Sequence, residues 1–330
     1  MKTSGYILFS LLLLVFASPL SAQVNDTYVI PAVAWTPGDA GTLWASSLDV
    51  FNPQQYLLTV TLVFLPSHGT PGSVVFLDIP PNESFHTENV LPEWFARPLG
   101  SGGSLLLATF AEDNPGVPDT AAALAFLVSS RTYNNDSRGT FGQNIPGTWA
   151  YGLYDYEFDG LSAITAGVQN WGTPGINGFR TNVGAVNLGD WSVSLLLVVY
   201  DEFGRLVADD LEFRIPPMAH EQARLPVGVV NGTVEFFLDD DAPLDPDQLS
   251  LVFPYVSIAD NKSGDAVYRE PQLLANPDIF FKGSGVTGES ATGIGGTLDK
   301  DRVRVALQKA ARIGRVSRAI DGKPYLLPVD

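Results

Sequence analysis

The strongest constraint on the fold is a pattern of short apolar segments that occurs twice, about 135 residues apart. Three pairs of segments correspond: 44–52 with 179–187, 75–81 with 211–217, and 126–134 with 253–261. The first pair ends at Asn, and the second alternates with period two and ends in Ile-Pro-Pro. The separation falls to 127 residues in the third pair, so the second copy is shorter there. Such repetition predicts two copies of one folding unit.

The repeated segments have the composition of β-strands. They are short runs of β-branched and aromatic residues, bounded by Gly, Pro, Asn and Asp. No convincing helical period precedes residue 298. A unit of about 120 residues buries such strands most simply as a sandwich of two antiparallel sheets, and a barrel is the alternative. The sequence therefore predicts an all-β protein with two tandem sandwich domains.

Composition and pattern divide the chain into five parts. These are a signal peptide (1–22), a first β-sandwich domain (23–146), a connector (147–160), a second β-sandwich domain (161–275), and a Gly-rich linker with a basic tail (276–330). In the connector, aromatic residues at 154, 156 and 158 alternate with acidic ones. This alternation predicts a strand that packs one aromatic face between the two domains.

The amino terminus predicts export. Lys2 precedes an apolar run from Ile7 to Ala17, which suits a signal peptide and is too short to span a bilayer comfortably. Cleavage after Ala22 would leave Gln23 first, in the periplasm or outside the cell; a retained membrane anchor is the alternative. The chain contains no Cys, which excludes disulfides, Cys-zinc sites, thiol nucleophiles and a lipoprotein anchor.

The charge of the chain argues against nucleic acid as a partner. It has 36 acidic and 19 basic side chains, with a net charge of −17. Residues 271–330 hold nine basic and six acidic residues, whereas the rest of the mature chain holds nine basic and 30 acidic ones. Nucleic-acid binding requires basic surfaces, and an acidic surface instead suits solubility or divalent cations.

Several sequence segments resemble those of a family of uncharacterised tandem Ig-like β-sandwich proteins that environmental bacteria export. The segments are at 130–134, 139–146, 179–183 and 260–265, and the likeness covers about residues 30–270. The resemblance implies two Ig-like domains outside the cytoplasm, and it carries over no catalytic residue. The first copy departs from the pattern, because Ala45-Ser46 stands where the second has Arg180-Thr181.

One acidic loop is a candidate calcium site. Asp239, Asp241, Asp245 and Asp247 lie close together in a segment rich in turn residues, and Ca²⁺ prefers several carboxylate or carbonyl oxygens. The alternative is an ordinary solvated loop between strands. A weaker acidic counterpart is present at 112–119 in the first copy. Calcium is the one cofactor that the sequence suggests.

The tail predicts an amphipathic helix from Asp299 to Ile320. Apolar residues recur there at spacings of three and four, while Arg304, Arg312, Arg315 and Arg318 share the opposite side. A basic helix of this kind could bind an anionic surface, either membrane headgroups or another protein. The alternative is a helix that packs on the acidic domains of its own chain.

Positive signals for catalysis are lacking in the sequence. No Gly-x-Ser-x-Gly motif is present, and His68, His86 and His220 do not occupy equivalent places in the two copies. The sequence predicts a non-catalytic exported binding or structural module, adhesive or associated with the cell envelope, whose partner is an envelope protein or a polysaccharide. The alternative is a secreted carbohydrate hydrolase, which needs two carboxylates about 5–9 Å apart.

Overall fold

The computed structural model describes most of the chain between residues 25 and 275, together with two segments of the tail. The described ranges are 25–38, 41–68, 73–136, 139–149, 154–155, 161–189, 192–238, 251–275, 312–318 and 324–327. They form strands that are almost all antiparallel, in two extended sheets, which confirms the prediction of an all-β, sandwich-like protein. The signal peptide and the acidic loop at 239–250 lie outside the described residues.

The first copy, hereafter the first repeat, contains nine described strands, one short α-helix and a single 3-10 turn (Ala111–Asp113), and the sequence predicted neither helix. They are β1 (Thr27–Pro37), β2 (Leu43–Phe51), β3 (Leu58–Pro66), β4 (Ser73–Ile79), β5 (Ser84–Thr87), α1 (Val90–Phe95), β6 (Ser101–Ala108), β7 (Leu127–Asp136), β8 (Gly139–Pro146) and β9 (Thr148–Trp149).

The second copy, the second repeat, follows with ten described strands. They are β10 (Tyr154–Asp155), β11 (Leu161–Thr173), β12 (Asn177–Asn187), β13 (Val193–Tyr200), β14 (Leu206–Ile215), β15 (Ala219–Arg224), β16 (Val229–Leu238), β17 (Leu251–Asp260), β18 (Ala266–Arg269) and β19 (Gln272–Ala275).

Strands pair in the same scheme in both repeats. In the first, β1–β6–β3–β4 form one layer and β5–β2–β7–β8 form the other, with β9 on β1. In the second, β11–β16–β13–β14 and β15–β12–β17–β18 form the same arrangement, with β19 on β11. The segments that repeat in the sequence therefore occupy matching places in the two pairing schemes.

The first long strand of each repeat, β1 in the first and β11 in the second, crosses from one layer to the other. β1 pairs with β6 as far as Trp35 and then pairs with β2 through Thr36 and Pro37. A register shift between Ile30 and Val33 bends the strand before the crossing. β11 makes the same crossing from β16 to β12.

Burial differs between equivalent strands of the two repeats. Side chains of β13 alternate between buried and partly exposed, as expected for a sheet with one face in the core. β3, its counterpart, is buried on both faces along nearly its whole length. The outer face of the sheet that contains β3 must therefore be covered by another part of the protein.

The second repeat provides that cover through a cluster that we call the seam. Apolar side chains from both repeats form it: Val29, Val63, Leu65, Val74, Leu106, Ala108 and Phe110 from the first, and Val186, Leu188, Met218 and Phe253 from the second. Two further clusters fill the interiors of the sandwiches, and the one in the first sandwich also includes Tyr255 of the second repeat. Because apolar contact of this extent is lost when the repeats move apart, the seam holds them in one arrangement.

The asparagines that end the repeated strand pattern make the same hydrogen bonds in both repeats. The side-chain amide of Asn52 donates to the carbonyl oxygens of Ile79 and Pro80, at 2.9 and 3.2 Å. That of Asn187 donates to the corresponding oxygens of Ile215 and Pro216, at 3.3 and 3.0 Å. Each asparagine thus fastens the end of one strand to the Pro-Pro turn that ends another.

Replacement of either asparagine by Ala is expected to lower the free energy of unfolding by about 2 kcal/mol, because buried carbonyls lose their donors. Urea denaturation of Asn52→Ala and Asn187→Ala measures this. Asn144→Ala is the control, since Asn144 is exposed and its loss should change stability by less than about 0.5 kcal/mol. Equal effects for all three variants would contradict a structural role for the matched pair.

The tail is a strand where the sequence predicted a helix. Arg312–Arg318 forms β20, which pairs in parallel with β4, and Pro324–Leu327 forms β21, which pairs with β20. The helix prediction is wrong for this segment, and the part before residue 312 lies outside the described residues. Gly314 and the β-branched Ile313 and Val316 weaken helix formation, and the edge of β4 offers backbone partners to a strand.

The described pieces of the connector pair with both repeats. β9 lies against β1 of the first repeat, and β10 lies against β17 of the second. The predicted aromatic face of the connector falls on side chains outside the described residues.

Candidate functional site

A cleft of about 520 Å³ lies between the repeats, beside the seam. The crossing of β1 and the glycines that begin β6 form its wall in the first repeat. One face of the β15–β12–β17 layer forms the opposite wall. Ligand sites of small molecules commonly have volumes of about 300–1,000 Å³ and lie between domains. The cleft is therefore the candidate functional site.

A chain of hydrogen bonds crosses one end of the cleft. Ser67 Oγ lies 2.8 Å from Nδ1 of His220, and Nε2 of His220 lies 2.7 Å from the hydroxyl of Tyr255. That hydroxyl donates to Oε1 of Gln222 at 2.8 Å. Because Gln222 Oε1 can only accept, the chain is satisfied when Ser67 donates to Nδ1 and Nε2–H donates to Tyr255. Ser67 belongs to the first repeat, so this chain also joins the two repeats.

The environment of this chain keeps His220 neutral. Burial, with a smaller contribution from the charge of His68, lowers the pKa of His220 from 6.5 to about 3. Burial also raises the pKa of the Tyr255 hydroxyl well above its ordinary value of 10. A general base works best when its pKa lies near the operating pH, so His220 is poorly suited to take a proton from Ser67.

The position of Tyr255 depends on a glycine in the neighbouring strand. Gly184 lies directly opposite Tyr255 in the β12–β17 pairing. A Cβ on Gly184 would lie 2.3 Å from Cζ of the Tyr255 ring. Only Gly at this position leaves room for the ring to lie across β12, within reach of His220 and Gln222.

Two arginines project from the same face of the β15–β12–β17 layer. Asn182 and Arg224 are direct partners across β12 and β15, and Arg180 lies two residues from Asn182 on β12. The alternation of a strand therefore places Arg180, Asn182 and Arg224 on one face, and all three line the cleft. Arg180 is only 7% exposed, whereas Arg224 is exposed.

Further polar contacts close the margins of the cleft. Ser257 donates to Oε1 of Gln143 across the repeats at 3.0 Å. His68 lies on the rim, where Nδ1 is 2.7 Å from Oε2 of Glu221 and the backbone N–H donates to Oε1 at 3.1 Å. Polar and apolar contacts between the repeats thus surround the open space.

The metal site predicted from sequence lies outside the described residues, because Asp239, Asp241, Asp245 and Asp247 all fall in the undescribed loop. Within the described ranges, no group of three or more His, Asp or Glu side chains could hold a metal ion. In the counterpart loop of the first repeat, at 112–119, the side-chain amide of Asn114 donates hydrogen bonds to the carbonyl oxygens of Thr59 and Phe110. Calcium binding at 239–247 stays a prediction.

The predicted partner-binding arginines are not brought together at the cleft. Arg304 lies outside the described residues, and Arg312, Arg315 and Arg318 belong to β20, on the edge of the first repeat. Binding of this segment to an outside partner stays a prediction.

The arginines of the cleft were missed at the sequence level, although one signal pointed to them. Arg180 stands where the first copy has Ala45, a buried residue of β2. Where one copy has a buried Ala and the other has Arg, that face of the strand must have different surroundings in the two repeats. Arg224 gave no comparable signal, since its place on the same face depends on the pairing of β15 with β12.

Among the described residues, no helix is both long enough and apolar enough to cross a membrane. No protein-family profile matches this chain, and no curated protein sequence matches it.

Proposed function

We propose that this protein is an exported, non-catalytic binding module in which two Ig-like repeats form one body and the cleft between them receives the ligand. The observation that carries the proposal is the polar cleft itself, held open between the repeats beside the apolar seam. The resemblance to exported tandem Ig-like proteins agrees with it. Export is checked by the mass of the secreted chain, which should begin at Gln23.

The chemistry of the cleft favours binding over catalysis. The Ser67–His220 pair resembles a nucleophile with its base, but the low pKa of His220 makes the imidazole a weak base. The lining residues, within the part of the chain that the structure describes, include no Asp or Glu. A carbohydrate hydrolase of the usual kind needs two carboxyl groups across the substrate.

Gly102 allows the cleft to be filled without strain in the backbone. It lies in β6 on the wall of the cleft, and its φ is not in the left-handed region. A Cβ there would lie 3.8 Å from Ser67 Oγ and from the Val33 carbonyl oxygen, which is ordinary contact. Gly102→Ala should therefore fold normally and leave the cleft open, whereas Gly102→Phe should place a ring in it.

The test is binding of the mature protein to an array of neutral and acidic oligosaccharides, cell-wall fragments and peptides. We expect the natural protein and Gly102→Ala to bind the same members, and Gly102→Phe to bind them at least about tenfold more weakly. Equal binding by Gly102→Phe would refute the cleft as the site. Release of cleaved products from any member would refute a non-catalytic function.

A further inference from the structure

We infer that the cleft binds an extended peptide, which adds a strand to the edge of β15 and places an acidic side chain beside Arg224. This inference rests on the proposed binding function and names its ligand class.

The first argument is the edge of β15, which pairs only with β12 among the described strands. The N–H of Leu225, at the end of this pairing, donates to the carbonyl oxygen of Thr181 at 2.9 Å. In an antiparallel pair, residues that exchange hydrogen bonds alternate with residues whose N–H and C=O point away from the partner strand. Gln222 and Arg224 therefore direct their backbone groups away from β12, toward the open edge.

The second argument is that the first repeat already begins a strand on this edge. Ser67 forms an isolated parallel bridge with His220, two residues before Gln222. Beyond that bridge, Gln222 and Arg224 are exposed and line the cleft. Three residues of a strand span roughly 10 Å, so the open part at 222–224 suits a short peptide. Such a peptide continues along the edge where the chain of the first repeat leaves it.

The third argument is the place of this edge in the molecule. A strand edge that is open to solvent is a template for aggregation, and proteins commonly block it with a proline, a bulge or a cover. β15 contains no proline, and its pairing with β12 has no register shift. It instead lines a cleft between the repeats, which admits a single extended chain more readily than the sheet of another folded protein. Addition of a strand to a sheet edge is a common mode of peptide recognition.

The strand β8 also ends a sheet beside the cleft, but it offers less to a ligand. Of its residues only Gln143 lines the cleft, and the side chain of Gln143 is buried and accepts a hydrogen bond from Ser257. β15 contributes three residues to the lining, two of them exposed. The edge of β15 is therefore the place where a peptide gains backbone partners.

The fourth argument sets the charge of the peptide. Arg180 is buried and already has a partner within the protein. Arg224 is exposed, and its guanidinium makes no hydrogen bond or ion pair with the described residues. The described lining of the cleft includes no Asp or Glu. Opposite charges on neighbouring strands attract, so an added strand with an acidic side chain beside Arg224 is favoured.

The test screens the mature protein against three immobilised libraries of acetylated pentapeptides, with Glu, Lys or Ala fixed at the central position and the other four positions varied. We expect the Glu library to bind most strongly, and its best member to bind in calorimetric titration. N-methylation of each backbone amide of that peptide in turn should weaken binding about tenfold at alternate residues only, because alternate residues of an added strand donate to β15.

Two substitutions at one position separate the charge from the backbone. Arg224→Gln should weaken binding of the selected peptide about fivefold, because the opposite charge on the neighbouring strand is lost. Arg224→Pro also removes an N–H that points away from β12, so the strand should still form and binding should fall about fivefold further. Arg214→Gln is the matched control, since Arg214 is an exposed arginine of β14 in the same repeat. If Arg224→Pro fails to fold, the N-methylated peptides still test the added strand.

The outcomes separate this inference from the proposed function. Equal effects of N-methylation at every residue, or binding of none of the libraries, overturns the inference; if an oligosaccharide binds the cleft instead, the binding function stands. Equal binding of the Glu and Lys libraries, or equal effects of Arg224→Gln and Arg214→Gln, overturns the role of Arg224. If Gly102→Phe binds the selected peptide as well as the natural protein does, the cleft is not the site, and the proposed function fails together with the inference.

Discussion

Replacement of Val186 by Asp is expected to uncouple the two repeats and to lower the free energy of unfolding by about 4 kcal/mol. Val186 is fully buried in the seam, on the face of β12 opposite to the interior of the second sandwich. A carboxylate there would lose its water without gaining a partner. Separation of the repeats would restore that water, because each sandwich keeps its own core apart from the contacts that Tyr255 makes with the core of the first.

Urea denaturation and small-angle scattering measure the two parts of this result. The natural protein should unfold in one transition, and Val186→Asp should unfold in two, with a larger radius of gyration before the first. Val230→Asp is the control, since Val230 is 50% exposed in the same repeat. If the Asp variant fails to fold, Val186→Ala should still lower stability by about 2 kcal/mol. No change in stability or dimensions for either variant would show that the seam does not couple the repeats.

Acidification is expected to destabilise the protein through His220. Its pKa is about 3 in the folded state and about 6.5 when unfolded, so only the unfolded chain gains this proton between those values. The stability that the neutral imidazole contributes to the folded state is fully present above pH 6.5 and is lost as the pH falls from 6.5 to 3. Linkage gives about 1.4 kcal/mol per pH unit, or roughly 3 kcal/mol between pH 6.5 and pH 4.

His220→Gln isolates this contribution, because glutamine does not titrate. Urea denaturation from pH 8 to pH 4 should show a shallower loss of stability in this variant, although it starts lower at pH 8 where hydrogen bonds are lost. Parallel curves for the two proteins would mean that His220 is accessible to protons in the folded state.

His86 provides a control with the opposite sign. Burial lowers its pKa, but hydrogen bonds to Glu88 and Asp49 outweigh burial and leave the pKa raised. The stability that protonated His86 contributes to the folded state is therefore present below pH 6.5 and is lost as the pH rises through its raised pKa. His86→Gln should make the loss of stability on acidification steeper, whereas His220→Gln makes it shallower.

The strands could be predicted because their signal is local. Alternation of period two and the Asn and Pro-Pro boundaries each involve neighbouring residues, and they placed β2, β4 and β7 with their counterparts β12, β14 and β17. The helix predicted from Asp299 to Ile320 is wrong over Arg312–Arg318, because the conformation of that segment depends on a distant strand. The edge of β4, more than 200 residues earlier, supplies the backbone groups that make this segment a strand.

The candidate site could not be predicted from the sequence, because its residues are also distant from one another along the chain. Ser67, His220 and Tyr255 are separated by 153 and 35 residues, and nothing in their local sequence relates them. The backbone conformation of Met218 likewise depends on the tertiary structure and not on its local sequence. This residue adopts a left-handed φ of 48° at the turn where the first repeat has Asn82, a residue that tolerates this conformation better. Burial of Met218 in the seam is what the second repeat gains at that position.

The sequence alone determined that the chain is β-rich and built from matching strand segments, because the alternation of apolar residues is set within each segment. Only the tertiary structure decided that the outer face of one sandwich is buried by the other, since a strand that is apolar on both faces does not say what covers it. The cleft follows from that packing. Where apolar residues meet across the repeats they form the seam, and where Arg180, Asn182 and Arg224 replace them the same two surfaces stay apart.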